Sequence, residues 1–169
     1  MPLSLIATDI GNGDRVALRQ GSLSKAMRAS MSIPGLLAPV DHQGRKFVDG
    51  GLVDNLPIAE ARQLCQADVV IAVNVGSPLL KANEVGSLLS VSVQMINILT
   101  EQNVKASLAL LKPTDIYIQP DLEGISASDF QRSSETADRG RAAAQGVAGR
   151  LQALSVGQPQ YAQWSQKIA

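Results

Sequence analysis

The chain has 169 residues, no net charge, 45% apolar and 18% charged residues, the balance of one globular domain rather than a disordered segment. A sequence pI of about 6.6 and only 3% aromatics argue against a basic groove or base-stacking platform, so nucleic acid is not an expected partner. A single cysteine, Cys65, excludes an internal disulfide and a thiolate zinc site.

The first residues, MPLSLIATDI, lack the basic and apolar regions of a signal peptide. They run at once into a strand candidate, Leu3–Ile10, as if an upstream part of a sheet were missing. An Asn-Gly turn follows, and then RVALRQG alternates Val16 and Leu18 against Arg15, Ala17 and Arg19; the two runs read as a hairpin. SLSKAMRASMSIPG reads as a short helix capped by Ser22 or Ser24 and stopped before Pro34. Residues 36–49 read as a strand, a turn near His42–Gly44 and a second strand ending on Asp49. Pro57 opens a helix with Ile58, Ala61, Leu64 and Cys65 as its apolar stripe, which makes Cys65 a small core residue. DVVIAVNVG has the pattern of a strand buried on both faces of a parallel sheet. Residues 85–111 read as one long helix or two. Gln94, Asn97, Glu101, Gln102, Asn103 and Lys105 make that stretch too polar to span a bilayer. DIYIQP is a further strand. The last strong helix is expected up to Leu154, capped by Ser126 or Ser128 and weakened by Gly140, Gly146 and Gly149. Residues 155–169 read as a polar tail or linker.

Strands alternating with helices predict an α/β domain over residues 1–154 with a largely parallel sheet, long enough to bury about 70% of its unfolded surface. Ligands of such sheets gather at the carboxyl ends of strands, where Asp49 and Gly76 fall. No G-x-S-x-G, phosphate loop or G-x-G-x-x-G is present. The one histidine, His42, sits in a polar turn, so a Ser-His-Asp triad within this chain is not expected. The aspartates are scattered without metal-ligand spacing, so neither metal nor cofactor is expected. Asp49 is the strongest candidate for chemistry. Gly50 and Gly51 after it permit positive φ and a close backbone approach. By composition alone an Asp-Gly turn is the simpler reading. Asp9 and Asp54 are rivals with structural explanations of their own, a turn and a helix cap.

The ordered set RASMSIPGLLAPV, GRKFVDGGLVDNLPIAEAR and ADVVIAVNVG resembles the second half of the bacterial patatin-like phospholipases, the family that includes the catalytic domain of neuropathy target esterase. The resemblance runs from about Leu3 to Leu154. It implies a three-layer α/β/α sandwich, present here as a partial domain, and a lipid acyl hydrolase working with a Ser-Asp dyad. Asp49 would be the base, supported by Gly50 and Gly51. The serine and a glycine-rich oxyanion loop would lie upstream, so the chain alone is expected to be inactive. By the same analogy Met27, Met31, Ile33, Leu36 and Leu37 are candidates for an acyl-chain groove, with core packing as the alternative. The expected partners are a phospholipid or other acyl ester, a membrane surface, and the missing N-terminal half or a second copy meeting the exposed sheet edge. A degenerate domain that binds lipid or protein without hydrolysis is the rival reading. Any targeting signal would lie upstream.

Overall fold

The computed structural model describes residues 2–125 and 129–167. The cap expected at Ser126 or Ser128 lies outside them.

Two short hairpins build the main sheet. β1 (Leu5–Asp9) pairs antiparallel with β2 (Arg15–Leu18), Leu5 facing Leu18 and Thr8 facing Arg15. β3 (Val40–His42) pairs antiparallel with β4 (Arg45–Asp49) across Gln43–Gly44. Both turn residues hold positive φ, 52° and 76°, the primed-turn geometry whose twist suits a tight hairpin. β1 then joins β4 antiparallel, giving the order β2-β1-β4-β3. The main sheet is therefore antiparallel, not the largely parallel one expected. The links within the two hairpins are too short for the crossover that a parallel neighbour requires.

Between the hairpins lies α1 (Leu23–Ser30), whose Ser22 side chain accepts the Lys25 N–H. Its Ala29 packs with Ala7 and Phe47 as a first small core. After Asp49 come a single helical turn, α2 (Gly51–Asp54), and α3 (Ile58–Cys65). β5 (Ile71–Val73) leads into α4 (Leu88–Leu108), a single helix, which crosses to β6 (Ile116–Ile118), parallel to β5. This β-α-β unit carries the α/β character of the chain. Leu56, Ile58, Val70, Ala72 and Val104 form the second core.

Three expectations are corrected here. α3 turns Ile58 and Glu60 inward, and Cys65 is exposed. Two arginines of β2 and the segment after it draw Glu60 in, which rotates the helix away from the apolar stripe read from its sequence. β5 is buried on one face only: Val70, Ala72 and Asn74 point inward, while Ile71, Val73 and Val75 are 49, 48 and 63% exposed. The last helix is broken, α5 (Ser133–Gln145) ending at Gly146 and α6 (Ala148–Ala153) following Val147. Beyond Leu154 the polar tail contains α7 (Gln158–Lys167).

The accessible surface is 11321 Å², against roughly 8,000 Å² for a compact chain of this mass. The unfolded chain would expose roughly 26,000 Å², so folding hides just over half of it rather than the expected 70%. Among the described residues no helix is long and apolar enough to cross a membrane.

Candidate functional site

Asp49 ends β4 where the strand leaves the sheet. Its N–H donates to the Ser32 carbonyl at 3.0 Å. Its own carbonyl accepts the Thr8 hydroxyl at 2.8 Å. The backbone is thus tied to both α1's trailing loop and β1. Among the described residues the carboxylate accepts one hydrogen bond, from the Gly51 N–H to Oδ1 at 2.7 Å.

The electrostatics separate Asp49 from the other buried or half-buried carboxylates. Asp9 pairs with Arg45, Asp54 with Arg15, Glu60 with Arg15 and Arg19, and Asp115 with Arg62. Among the described residues no cation pairs with Asp49. Burial raises its carboxyl above the ordinary value of 3.8, and the Gly51 amide only partly opposes this. By contrast, Glu60 is held at about 2, first by the hydrogen bond from Arg19 and then, against burial, by Arg15. Asp115 also sits at about 2: burial pushes it up, but the Lys112 and Val70 amides and Arg62 outweigh that. Asp9 and Asp54 are thus each engaged by an arginine, unlike Asp49. Asp54 is bound to Arg15 and approached by the Ser107 hydroxyl at 3.4 Å, which replaces the capping role expected of it.

The two glycines after Asp49 have separate reasons. A Cβ on Gly50 would lie 2.2 Å from the Ile6 carbonyl oxygen, so the close approach is to β1 of this chain. A Cβ on Gly51 would lie 2.7 Å from Asn55 Oδ1 and 2.9 Å from Asp49 Oδ1. Neither is among the positive-φ glycines, and Gly50 has an ordinary helical φ of −70°. The same Asn55 side chain reaches the other strand end, since a Cβ on Gly76 would lie 3.6 Å from its Nδ2. Asn74 Oδ1 accepts the Gly76 N–H, and Asn74 Nδ2 donates to the Tyr117 hydroxyl. The ends of β4 and β5 therefore share one polar corner.

α4 supplies residues that sequence reasoning passed over. Thr100, Asn103 and Ser107, spaced i, i+3 and i+7, share one helical face and all bond α2. Their spacing along one helical face was the available signal.

Of the groove candidates, Met27, Met31 and Leu36 are 50, 54 and 71% exposed, while Ile33 and Leu37 are half-buried. They line neither of the two hollows described here. One is a small apolar recess between Ala26, Ala29, Val40 and Phe47, and the other an open hollow of about 400 Å³ beside Asp9 and Arg45. Neither hollow touches Asp49. His42 is exposed on β3, its ring 6.4 Å from Phe47. Among the described residues no cluster of three histidine, cysteine or carboxylate side chains is placed to hold a metal.

Comparison with known proteins agrees on one family. A sequence model described as patatin-like phospholipase matches residues 3–62. Two NTE family proteins of Mycobacterium tuberculosis are 42% identical over 74 residues and 50% identical over 52 residues, covering 44 and 31% of this chain and 20 and 9% of theirs. Lysophospholipase NTE1 of Meyerozyma guilliermondii is 26% identical over 153 residues, covering 76% of this chain and 10% of its own. The chain thus spans a fifth or less of the curated relatives it matches.

Proposed function

We propose that this chain, whose residues 3–62 match the patatin-like phospholipase family, is part of a lipid acyl hydrolase in which Asp49 is the base of a Ser-Asp dyad. The observation that carries the reading is Asp49 itself: a half-buried carboxylate at a strand end, held by one amide and paired with no cation among the described residues. A carboxylate in water is a weak base for an alcohol. Partial desolvation raises its proton affinity toward what the reaction needs.

In this mechanism a serine supplied from outside the chain gives its proton to Asp49 and attacks the ester carbonyl. Amides of a glycine-rich loop, also outside the chain, hold the oxyanion. The alcohol leaves, and water releases the fatty acid from the acyl-serine. The same reading sets β5 and β6 in a larger parallel sheet of a three-layer sandwich. The open face of β5 is then the place for the rest of the domain, or for a second copy. A membrane surface as the source of substrate is supported by α4. No charged residue lies between Glu84 and Glu101, and Leu88, Val91, Met95, Ile98 and Leu99 are exposed at helical spacing.

The test is Asp49→Asn in the full-length protein carrying this chain. Turnover of a p-nitrophenyl or phospholipid ester should fall roughly 10²- to 10⁴-fold with the far-UV circular dichroism unchanged. Retained turnover rejects the dyad. The chain alone should turn over no ester; activity there would place the nucleophile within it. Vesicle binding by a full-length protein that hydrolyses no ester would favour the non-catalytic lipid-binding module.

A further inference from the structure

α2 is one helical turn, and the backbone groups at its end are tied to a side chain of α4. The Asn55 N–H donates to Asn103 Oδ1 at 2.9 Å. The Gly51 carbonyl accepts from Asn103 Nδ2 at 2.8 Å and from the Thr100 hydroxyl at 3.2 Å. One carboxamide thus sits between the two backbone groups, donating to one and accepting from the other. The chemistry fixes its orientation: turned over, it would set oxygen against oxygen and N–H against N–H.

This matters because of what Gly51 does on its other side. Among the described residues its N–H is the one donor on the Asp49 carboxylate. Glycine is the residue whose φ and ψ are least restricted by its own side chain, and here a Cβ would press on the Asn55 and Asp49 side chains. The peptide that carries the Gly51 N–H has its Gly50 carbonyl held by the Val53 and Asp54 amides, so the direction of that N–H follows the placement of the α2 turn. Gly50, lodged against the Ile6 carbonyl, anchors one side, and the carboxamide from α4 anchors the other.

We infer that Asn103 is a positioning residue: its carboxamide ties the Gly51 carbonyl and the Asn55 N–H to α4 and so fixes the placement of the turn whose first residue presents its N–H to Asp49. Thr100 assists by holding the same carbonyl. The catalytic consequence rests on Asp49 being the base, as proposed above; the structural one does not. Misplacing the Gly51 amide removes the hydrogen bond that favours ionised Asp49. The carboxyl then titrates at higher pH, and the active form is lost earlier as pH falls.

The experiment pairs Asn103→Leu and Thr100→Val with two readouts. The first is kcat and KM across pH on a p-nitrophenyl ester in the full-length protein. The second is titration of the Gly51 amide by NMR in the chain Met1–Ala169. Asn103→Leu should lower kcat on the order of 10- to 100-fold, as misplacement of a reacting group does, with KM little changed. The acid limb of kcat should move to higher pH, and the Gly51 amide should follow the same shift. Thr100→Val leaves the carboxamide bridge in place and should give a smaller change in the same direction. Wild-type kcat with a wild-type Gly51 titration in Asn103→Leu overturns the inference. So does a lower kcat that comes with an unmoved titration and only a lower melting temperature. If Asn103→Leu does not fold, Asn103→Ala takes its place in both readouts. Activity retained in Asp49→Asn would reject the dyad while leaving the Gly51 titration to decide the clamp. A dead Asp49→Asn beside a normal Asn103→Leu rejects the clamp alone.

Discussion

Asp49 and Gly50 sit next to each other and answer to different demands. Burial disfavours the charge on Asp49, so its folded-state proton affinity exceeds that of the unfolded chain. The ionised group therefore costs stability above its folded pKa, and that cost disappears as pH falls through it. Asp49→Asn keeps an oxygen for the Gly51 N–H and removes the charge. The variant that loses activity should then melt higher than the parent at neutral pH, by calorimetry, with the gain shrinking on acidification. Gly50→Ala should behave oppositely. Its methyl would meet the Ile6 backbone at 2.2 Å, and backbone cannot swing aside as a side chain can. We expect a loss of about 3 kcal/mol, the upper end for overpacking, seen as a lower urea midpoint with unchanged slope. The sequence made the Asp-Gly-Gly turn legible, and through a family resemblance its candidate chemistry. It did not tell that Gly50 is bare because of β1, since strand pairing between residues some forty positions apart leaves no local pattern.

At the level of elements, local signals were read well where neighbours decide the structure. The Gln43–Gly44 turn, the Ser22 cap and the α4 boundary before Pro113 all follow from adjacent residues. They were read poorly where a distant ion pair decides. The apolar stripe of α3 predicted Cys65 inside, but Arg15 and Arg19 bring Glu60 inside instead. That network joins β2, α2 and α3, so its removal should be costly. Glu60→Gln should destabilise the chain by roughly 2–3 kcal/mol near pH 7, less than a fully buried pair because both arginines stay partly in water. The folded carboxyl, at about 2, lies below its ordinary value of 4.5. Its contribution is complete above about 4.5 and drains away as pH falls toward 2. The difference between parent and Glu60→Gln should therefore close over that interval, measured by urea unfolding at a series of pH values. The α4 face of Thr100, Asn103 and Ser107 was legible as spacing, but the partner it serves, a one-turn helix, is too short to announce itself in sequence.

For the whole molecule the balance of buried and exposed surface is the governing fact. Two small cores flank the Asp49 turn. Apolar side chains remain outside on β5 and along the first half of α4. Patches of that extent are rarely left to water, and β5 offers a short edge as well. The isolated chain should elute from a sizing column ahead of a 17.8 kDa monomer and bind a hydrophobic dye; a clean, dye-silent monomer would count against this. The surface has a further consequence in calorimetry and denaturant unfolding. Both the heat capacity of unfolding and the denaturant slope scale with the area that unfolding uncovers. A chain that hides just over half its surface should unfold about a fifth less steeply than its length implies. A complement that settles onto β5 and α4 would restore the missing steepness. Its docking is then measurable as cooperativity, whether or not the assembled protein has found its substrate.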